Sequence, residues 1–182
     1  TDRLDYLSPM SNNTGVVLAV EKLIGIDVPP RAQYLRVILC ELARLSSHLL
    51  WLGTSALDIG AMSVFLYTFR ERETLYDIFE DVCGARFTVS YMRVGGVSVD
   101  VPERFPQLVN HFVDDFQKKI DEYETLLTNN KIWRMRTEGI GIVDAETAID
   151  YGLTGACLRG SGVDVDLRRD NPYLVYQDLD FD

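Results

Sequence analysis

Tyr6, in the run Arg3-Leu4-Asp5-Tyr6, and Asp58, in Ala56-Leu57-Asp58-Ile59, are the side chains best suited to chemistry in this sequence. A phenol keeps its proton near neutral pH, can donate a hydrogen bond, and offers a flat apolar ring. Taken alone, a tyrosine ahead of a helix more often packs at the edge of a core than binds a ligand. An aspartate among apolar neighbours is costly to bury unless paired or protonated, so perturbed titration is one expectation for Asp58. Capping a helix is the other, and the residues leave both open. Arg3 by itself reads as an exposed surface arginine.

Glu41, Arg44 and His48 fall at i, i+3 and i+7 and can share one helical face, where structural pairing is the expected role. A histidine on such a helix is more often a hydrogen-bonded core group than a ligand or acid–base catalyst. The three cysteines, Cys40, Cys83 and Cys157, are far apart and form no Cys-x-x-Cys pair, so no metal is expected to be bound by this chain. Three free thiols and a reducing compartment are expected from the odd count and the lack of a leader-like segment.

Composition narrows the field. With 28 Asp and Glu against 18 Lys and Arg, the net charge of -10 repels phosphate backbones, so nucleic acid is not expected as a partner. At 182 residues and 47 % hydrophobic content the chain can build a sizeable core and fits one domain covering residues 1–182. No apolar stretch reaches the ~18 residues a spanning helix needs, so any membrane association is expected to be peripheral. The chain opens on Thr1-Asp2-Arg3 without a methionine and closes on an extended-looking Tyr173 to Asp182, as a piece trimmed from a longer protein would.

Helices dominate the pattern that positions these residues. Asn12 and Asn13 are expected to cap a first helix carrying Val16, Val17, Val20 and Leu23 and ending at Gly25. Pro29 and Pro30 open a second, from Arg31 to Leu52, long and mostly buried. Helical spacing continues from Thr54 to Val82, with Gly53 and Gly60 marking a junction or close helix contacts and Gly84 a C-terminal cap. Gly95-Gly96 interrupt the next segment, Pro102 precedes a helix from about Glu103 to Leu127, and Asn129-Asn130 close it. Asp144 is the expected N-cap of a short helix to Tyr151, and the tail from Val163 reads as extended. The fold class is mainly α, a helical bundle with a small irregular or β-containing annex.

A series of segments then makes the chain recognisable: Asp2-Arg3-Leu4-Asp5-Tyr6-Leu7, Glu41-Leu42-Ala43-Arg44-Leu45-Ser46-Ser47-His48-Leu49 and Leu57-Asp58-Ile59-Gly60-Ala61. Further on come Phe69-Arg70-Glu71-Arg72-Glu73, Tyr91-Met92-Arg93-Val94-Gly95-Gly96-Val97, Gly152-Leu153-Thr154-Gly155 and Leu158-Arg159-Gly160-Ser161-Gly162-Val163. In this order and spacing the whole chain resembles the 49-kDa family of respiratory complex I, the quinone-reducing component, itself related to nickel-iron hydrogenase large subunits. The resemblance implies a hydrogenase-like helical core and only the central part of the full-length family member, without its N-terminal β-rich region and C-terminal helices and strand.

The same resemblance implies roles. Tyr6 matches the tyrosine that hydrogen-bonds a quinone headgroup and delivers a proton during reduction. Asp58 matches the aspartate that pairs with a headgroup-binding histidine lying outside this chain. Arg3 matches an arginine near the terminal four-iron four-sulfur cluster, which a small partner subunit holds and which passes electrons to quinone. Thr88, in Ala85-Arg86-Phe87-Thr88, stands where many members carry a histidine that links the potential of that cluster to pH, and threonine cannot titrate.

The expected activity is therefore NADH:quinone oxidoreduction coupled to proton translocation, by a complex of which this chain is one part, with quinone as substrate and NAD bound elsewhere in the complex. Its expected place is peripheral, on the cytoplasmic side of a bacterial inner membrane or the matrix side of the mitochondrial one, among other complex I subunits. A nickel-iron hydrogenase relative remains the alternative, since that family's cysteine pairs fall near the ends of the full-length chain; the quinone-type Arg-Leu-Asp-Tyr and Leu-Asp-x-Gly-Ala segments favour complex I. A third reading is a scaffold fragment, inactive alone and prone to self-association through uncovered apolar faces.

Overall fold

Pro9 and Pro30 each sit in the first turn of a helix, where a missing N–H costs nothing and a fixed φ favours entry. They open α1 (Pro9–Ile24) and α2 (Pro30–Asp58) in a computed structural model that describes residues 1–181. α3 (Met62–Cys83) follows after a short turn. Gly25 and Gly84 stop α1 and α3 in left-handed conformations with φ of 69° and 74°, donating their N–H groups to Glu21 O and Glu80 O. The chain divides into two units, Thr1–Asn130 and Lys131–Asp182. Asp182 lies outside the described residues.

In the first unit, α1 and α3 pack on α2, and a two-residue-strand hairpin, β1 (Met92–Arg93) with β2 (Gly96–Val97), closes against α1 and α2. The strands are antiparallel, Met92 opposite Val97 and Arg93 opposite Gly96, with Gly95 turning at φ 85°. α4 (Phe105–Tyr123) lies on α3 and runs into a π-helical turn, Glu124–Thr128, that Asn129 closes by donating its N–H to Glu124 O at 3.0 Å. One apolar core joins these elements through side chains such as Leu39, Leu42, Leu75, Phe79, Tyr91 and Phe112. Each fully buried Leu or Phe contributes roughly 1.5–3 kcal/mol.

Gly53 does not end a helix. α2 runs through it to Asp58, and a Cβ there would lie 2.5 Å from Thr68 Oγ1 and 3.4 Å from Phe65 Cα on α3. Gly53 is thus the close contact, and Gly60, at φ 95°, is the junction. Asn12 and Asn13 also depart from expectation: the helix begins at Pro9, so both lie inside its first two turns and cap nothing.

Among its described residues the second unit carries four short helices, α5 (Lys131–Thr137), α6 (Ala145–Asp150), α7 (Gly155–Gly160) and α8 (Leu167–Asp170). Asp144 caps α6 as its sequence position suggests, accepting from Thr147 N–H at 2.8 Å. The extended tail expected from Val163 is instead broken by α8 and a 3-10 turn at Tyr176–Asp178. Asp166 nucleates α8, because its carboxylate accepts from Arg168 N–H at 2.9 Å and pairs with the same residue's guanidinium at 2.7 Å. Among the described residues of this unit only Ala148, Val175 and Tyr176 are buried. The described fold is mainly α with a small β hairpin, and none of its helices is long and apolar enough to cross a membrane.

Candidate functional site

Tyr6 stands on a turn clasped from below by α1. Asn12, half-buried, donates through Nδ2 to the carbonyls of Asp2 (3.3 Å) and Asp5 (2.7 Å), fixing the turn on both sides of Arg3 and Leu4. The Asp5 carboxylate accepts from Leu7 N–H at 3.1 Å, and the Asp5 carbonyl accepts from Ser8 N–H at 3.1 Å. Tyr6 is therefore held from the backbone on either side while the residue remains 58 % exposed. Its phenol is left to face solvent or a ligand.

Phe87 packs beside Tyr6. Its ring centroid is 6.5 Å from that of Tyr6, tilted by 51°, and 6.1 Å from that of Tyr76 in an edge-to-face pair. Arg72 and Arg86 lie over the Tyr76 ring at 5.2 Å and 5.7 Å, and burial pushes the Tyr76 phenol up from its ordinary pKa. Arg86 is anchored by Asp77 (2.6 Å), Glu73 (2.5 Å) and Glu80 (3.2 Å) along α3, with the Asp77 hydrogen bond the largest cause of its raised pKa. These contacts fix the backbone from which Phe87 and the exposed Thr88 project. Val89, next in line, is fully buried, and its carbonyl accepts from Asn13 Nδ2 at 2.6 Å.

The chain thus brings the Tyr6 turn beside the Phe87-Thr88 segment, but it does not bring Asp58 to them. Ser46 is the α2 residue that reaches Arg72, one turn from Tyr76 on α3. From Ser46 to Asp58 the helix climbs about 18 Å at ~1.5 Å per residue. Asp58 is the last residue of α2 and is exposed; it neither starts a helix nor sinks into the apolar run around it. Arg3 is exposed on the Tyr6 turn without an ion pair among the described residues. Glu41 and Arg44 pair along α2 at 3.0 Å, as their spacing suggests. His48 is exposed, so it is not the core histidine expected from its helix.

No group of three or more His, Cys, Asp or Glu side chains is arranged to hold a metal ion among the described residues, and the cysteines sit on separate elements. Cys40 is buried on α2, Cys83 is half-buried at the end of α3, and Cys157 is exposed on α7. This chain's own side chains therefore do not fit a four-thiolate cluster site. Open grooves elsewhere on the first unit, one edged by Asp81, Arg104 and His111 and one by Tyr34, Ile38 and Phe105, do not reach Tyr6 or Asp58.

Asn12, Asn13, Phe87 and Arg86 hold the surroundings of Tyr6 in place, and local sequence logic passes over all four. The asparagine pair is visible in the sequence only as helix-cap chemistry, although it is the amide donors that matter, and their acceptors lie as far away as Val89.

Residues 58–182 match the family described as respiratory-chain NADH dehydrogenase, 49 Kd subunit. Over 181 residues the chain is 64 % identical to an NADH-quinone oxidoreductase subunit of Geotalea uraniireducens and 61 % identical to its counterpart in Geobacter metallireducens. It is 57 % identical over 182 residues to an NADH-quinone oxidoreductase subunit of Thermodesulfovibrio yellowstonii. Each match covers 100 % of this chain and 45–46 % of the relative, so the chain spans about half the length of the curated relatives it matches. On the residues matched and their extent, the chain belongs to the 49 Kd subunit family of the respiratory-chain NADH dehydrogenase.

Proposed function

We propose that this chain forms one wall of the quinone-reducing site of an NADH:quinone oxidoreductase, with the headgroup seated against Tyr6. The observation that carries this reading is the juxtaposition of Tyr6 and Phe87, two rings 6.5 Å apart on firmly anchored backbone, with Tyr6 itself exposed. A planar quinone offers carbonyl oxygens that accept a hydrogen bond and become proton acceptors as electrons arrive. Tyr6 donates that hydrogen bond and hands over its proton, and Phe87 supplies an apolar face. Asp58, at the far end of α2, acts at a second contact, through a histidine outside this chain.

A four-iron four-sulfur cluster on a small partner subunit supplies the electrons, and NADH binds elsewhere in the complex. Arg3, exposed beside Tyr6 and without an ion pair among the described residues, faces that partner and stabilises negative charge placed there. Thr88 lies on the same side through its neighbour Phe87. The whole complex couples quinone reduction to proton translocation, and this chain lies in it peripherally to the membrane, on the cytoplasmic or matrix side. Alone, the chain is inactive and self-associates through exposed apolar side chains such as Leu23, Met62 and Leu66; a monodisperse monomer in light scattering at high concentration would contradict this.

The decisive test is Tyr6→Phe in the assembled complex, with the cluster's spectroscopic signal recorded in the same preparation. Quinone reductase activity is expected to fall about 10²-fold or more with the cluster signal intact. Unchanged activity overturns the role of Tyr6.

A further inference from the structure

We infer that Asn12 and Asn13 are positioning residues that set where the Tyr6 turn stands relative to the Phe87 segment, and with it the fit of a flat headgroup against Tyr6. This rests on the reading of Tyr6 given above and extends it to residues that never touch substrate.

Neighbouring helix residues point about 100° apart around the axis, and here the two asparagines reach different segments. Asn12 holds the Tyr6 turn through the carbonyls of Asp2 and Asp5. Asn13, buried, holds the facing segment through the Val89 carbonyl and also accepts from Thr1 Oγ1 at 2.9 Å. α1 itself is fixed to α2 by Thr14, whose hydroxyl meets Cys40 Sγ at 3.1 Å and the Met10 carbonyl at 2.9 Å. The Tyr6 turn and the segment that carries Phe87 are thereby both tied to one helix by adjacent side-chain amides. An aspartate at either position would turn a carboxylate oxygen toward the carbonyls that these amides now satisfy. Alanine or leucine would leave them unmet.

The consequence is a specific kinetic signature. A loosened Tyr6 turn weakens binding of the headgroup in ground state and transition state alike, which raises KM with kcat nearly unchanged. Damage to the fold or to the partner's cluster would instead lower kcat and the amount of assembled complex.

The test uses the assembled complex with Asn12→Ala, Asn12→Gln, Asn13→Leu and Tyr6→Phe, a short-tailed benzoquinone as substrate, electron transfer to ferricyanide as the upstream control, and the cluster signal as a check of assembly. For Asn12→Ala, KM is expected to rise about fivefold, with kcat, ferricyanide reduction and cluster signal nearly unchanged, and Asn12→Gln, which keeps an amide donor, to recover most of the loss. Asn13→Leu is expected to behave like Asn12→Ala; if it does not assemble, the half-buried Asn12 carries the test alone. An unchanged KM in Asn12→Ala, or a fall in kcat matched by a weaker cluster signal, overturns the inference. If Tyr6→Phe loses activity while Asn12→Ala keeps its KM, the positioning role is wrong and the headgroup reading stands; if neither variant changes, both fall.

Discussion

Arg36 and Glu21 form a two-pronged ion pair, Nη2 to Oε1 at 2.6 Å and Nη1 to Oε2 at 2.9 Å, with 0 % and 5 % of their side chains exposed. The pair is also the anchor of the hairpin. Arg36 donates to the carbonyls of Arg93 (2.7 Å) and Gly96 (2.9 Å), and Glu21 Oε1 accepts from Gly95 N–H at 2.8 Å. α1, α2 and the β1–β2 turn meet at this one node, and every charge in it has a geometrically defined partner.

Removing one member strands the other. Arg36→Met leaves a buried carboxylate and is expected to cost about 3–5 kcal/mol, and replacing both residues by apolar ones to cost less than the sum of the single changes. Urea titrations of the two single variants and the double variant measure this coupling, and strictly additive costs would refute it. The Arg36 hydrogen bond holds the Glu21 carboxyl below its ordinary range, against the opposing effect of burial. A folded pKa below the unfolded one gives stability that is fully present above the ordinary glutamate range and is lost as pH falls through that range toward the folded value. Melting temperature should therefore drop more steeply on acidification in the parent chain than in Glu21→Gln.

Gly53 faces Thr68, whose hydroxyl donates to Phe65 O at 3.0 Å and is wholly buried, so the obstructing atom cannot swing aside. Gly53→Ala gains helix propensity of up to ~1 kcal/mol but must part α2 from α3, an overpacking cost of about 1–3 kcal/mol. The expected result is a net loss of stability, relieved by pairing it with Thr68→Ala or Thr68→Gly. An alanine at position 53 that stabilises the chain would show that the helices part without strain.

The contrast between Gly53 and Gly84 explains what can be read from the sequence alone. Gly84 ends α3 through its own left-handed φ, a local property that the pattern around it announces. Gly53 is set by a partner helix, and no local rule distinguishes a close approach from a break. Asn12 and Asn13 are legible as polar residues near a helix start, but their acceptors at Asp5 and Val89 exist only once the chain has folded. The tail misleads for the opposite reason: Asp166 and Arg168 make a turn two residues apart, in a stretch whose spacing looks extended. Motif matching reaches Tyr6, Arg3, Asp58 and Thr88, while the side chains that hold Tyr6 in place lie outside its view.

Thr88 is exposed beside Phe87 and carries no titratable proton. If this segment faces the partner's cluster, a proton taken up close to it on reduction would make the midpoint potential fall with pH, by about 59 mV per unit for one proton per electron, and threonine cannot take up that proton. The cluster next to the parent protein is expected to show a shallow slope, and Thr88→His to steepen it in the range where an imidazole titrates. Redox titrations at several pH values in both complexes measure this directly. A steep slope already present with threonine would place the coupled proton elsewhere.

The thiols give a test of the fold that needs no partner. Cys40 lies in the core against Thr14, and burial raises its pKa; Cys83 is half-buried, donates to the Phe79 carbonyl at 3.1 Å, and is also raised by burial. Cys157 is exposed on α7. Because the thiolate is the reactive form and must be reachable, a disulfide reagent near neutral pH should modify Cys157 first, Cys83 more slowly and Cys40 only on unfolding. Cys157→Ser should then remove the fast phase and leave the others intact, as read by mass spectrometry of timed samples. Rapid modification of Cys40 in the folded chain would show that α1 opens from α2, and with it the helix that carries Asn12 and Asn13.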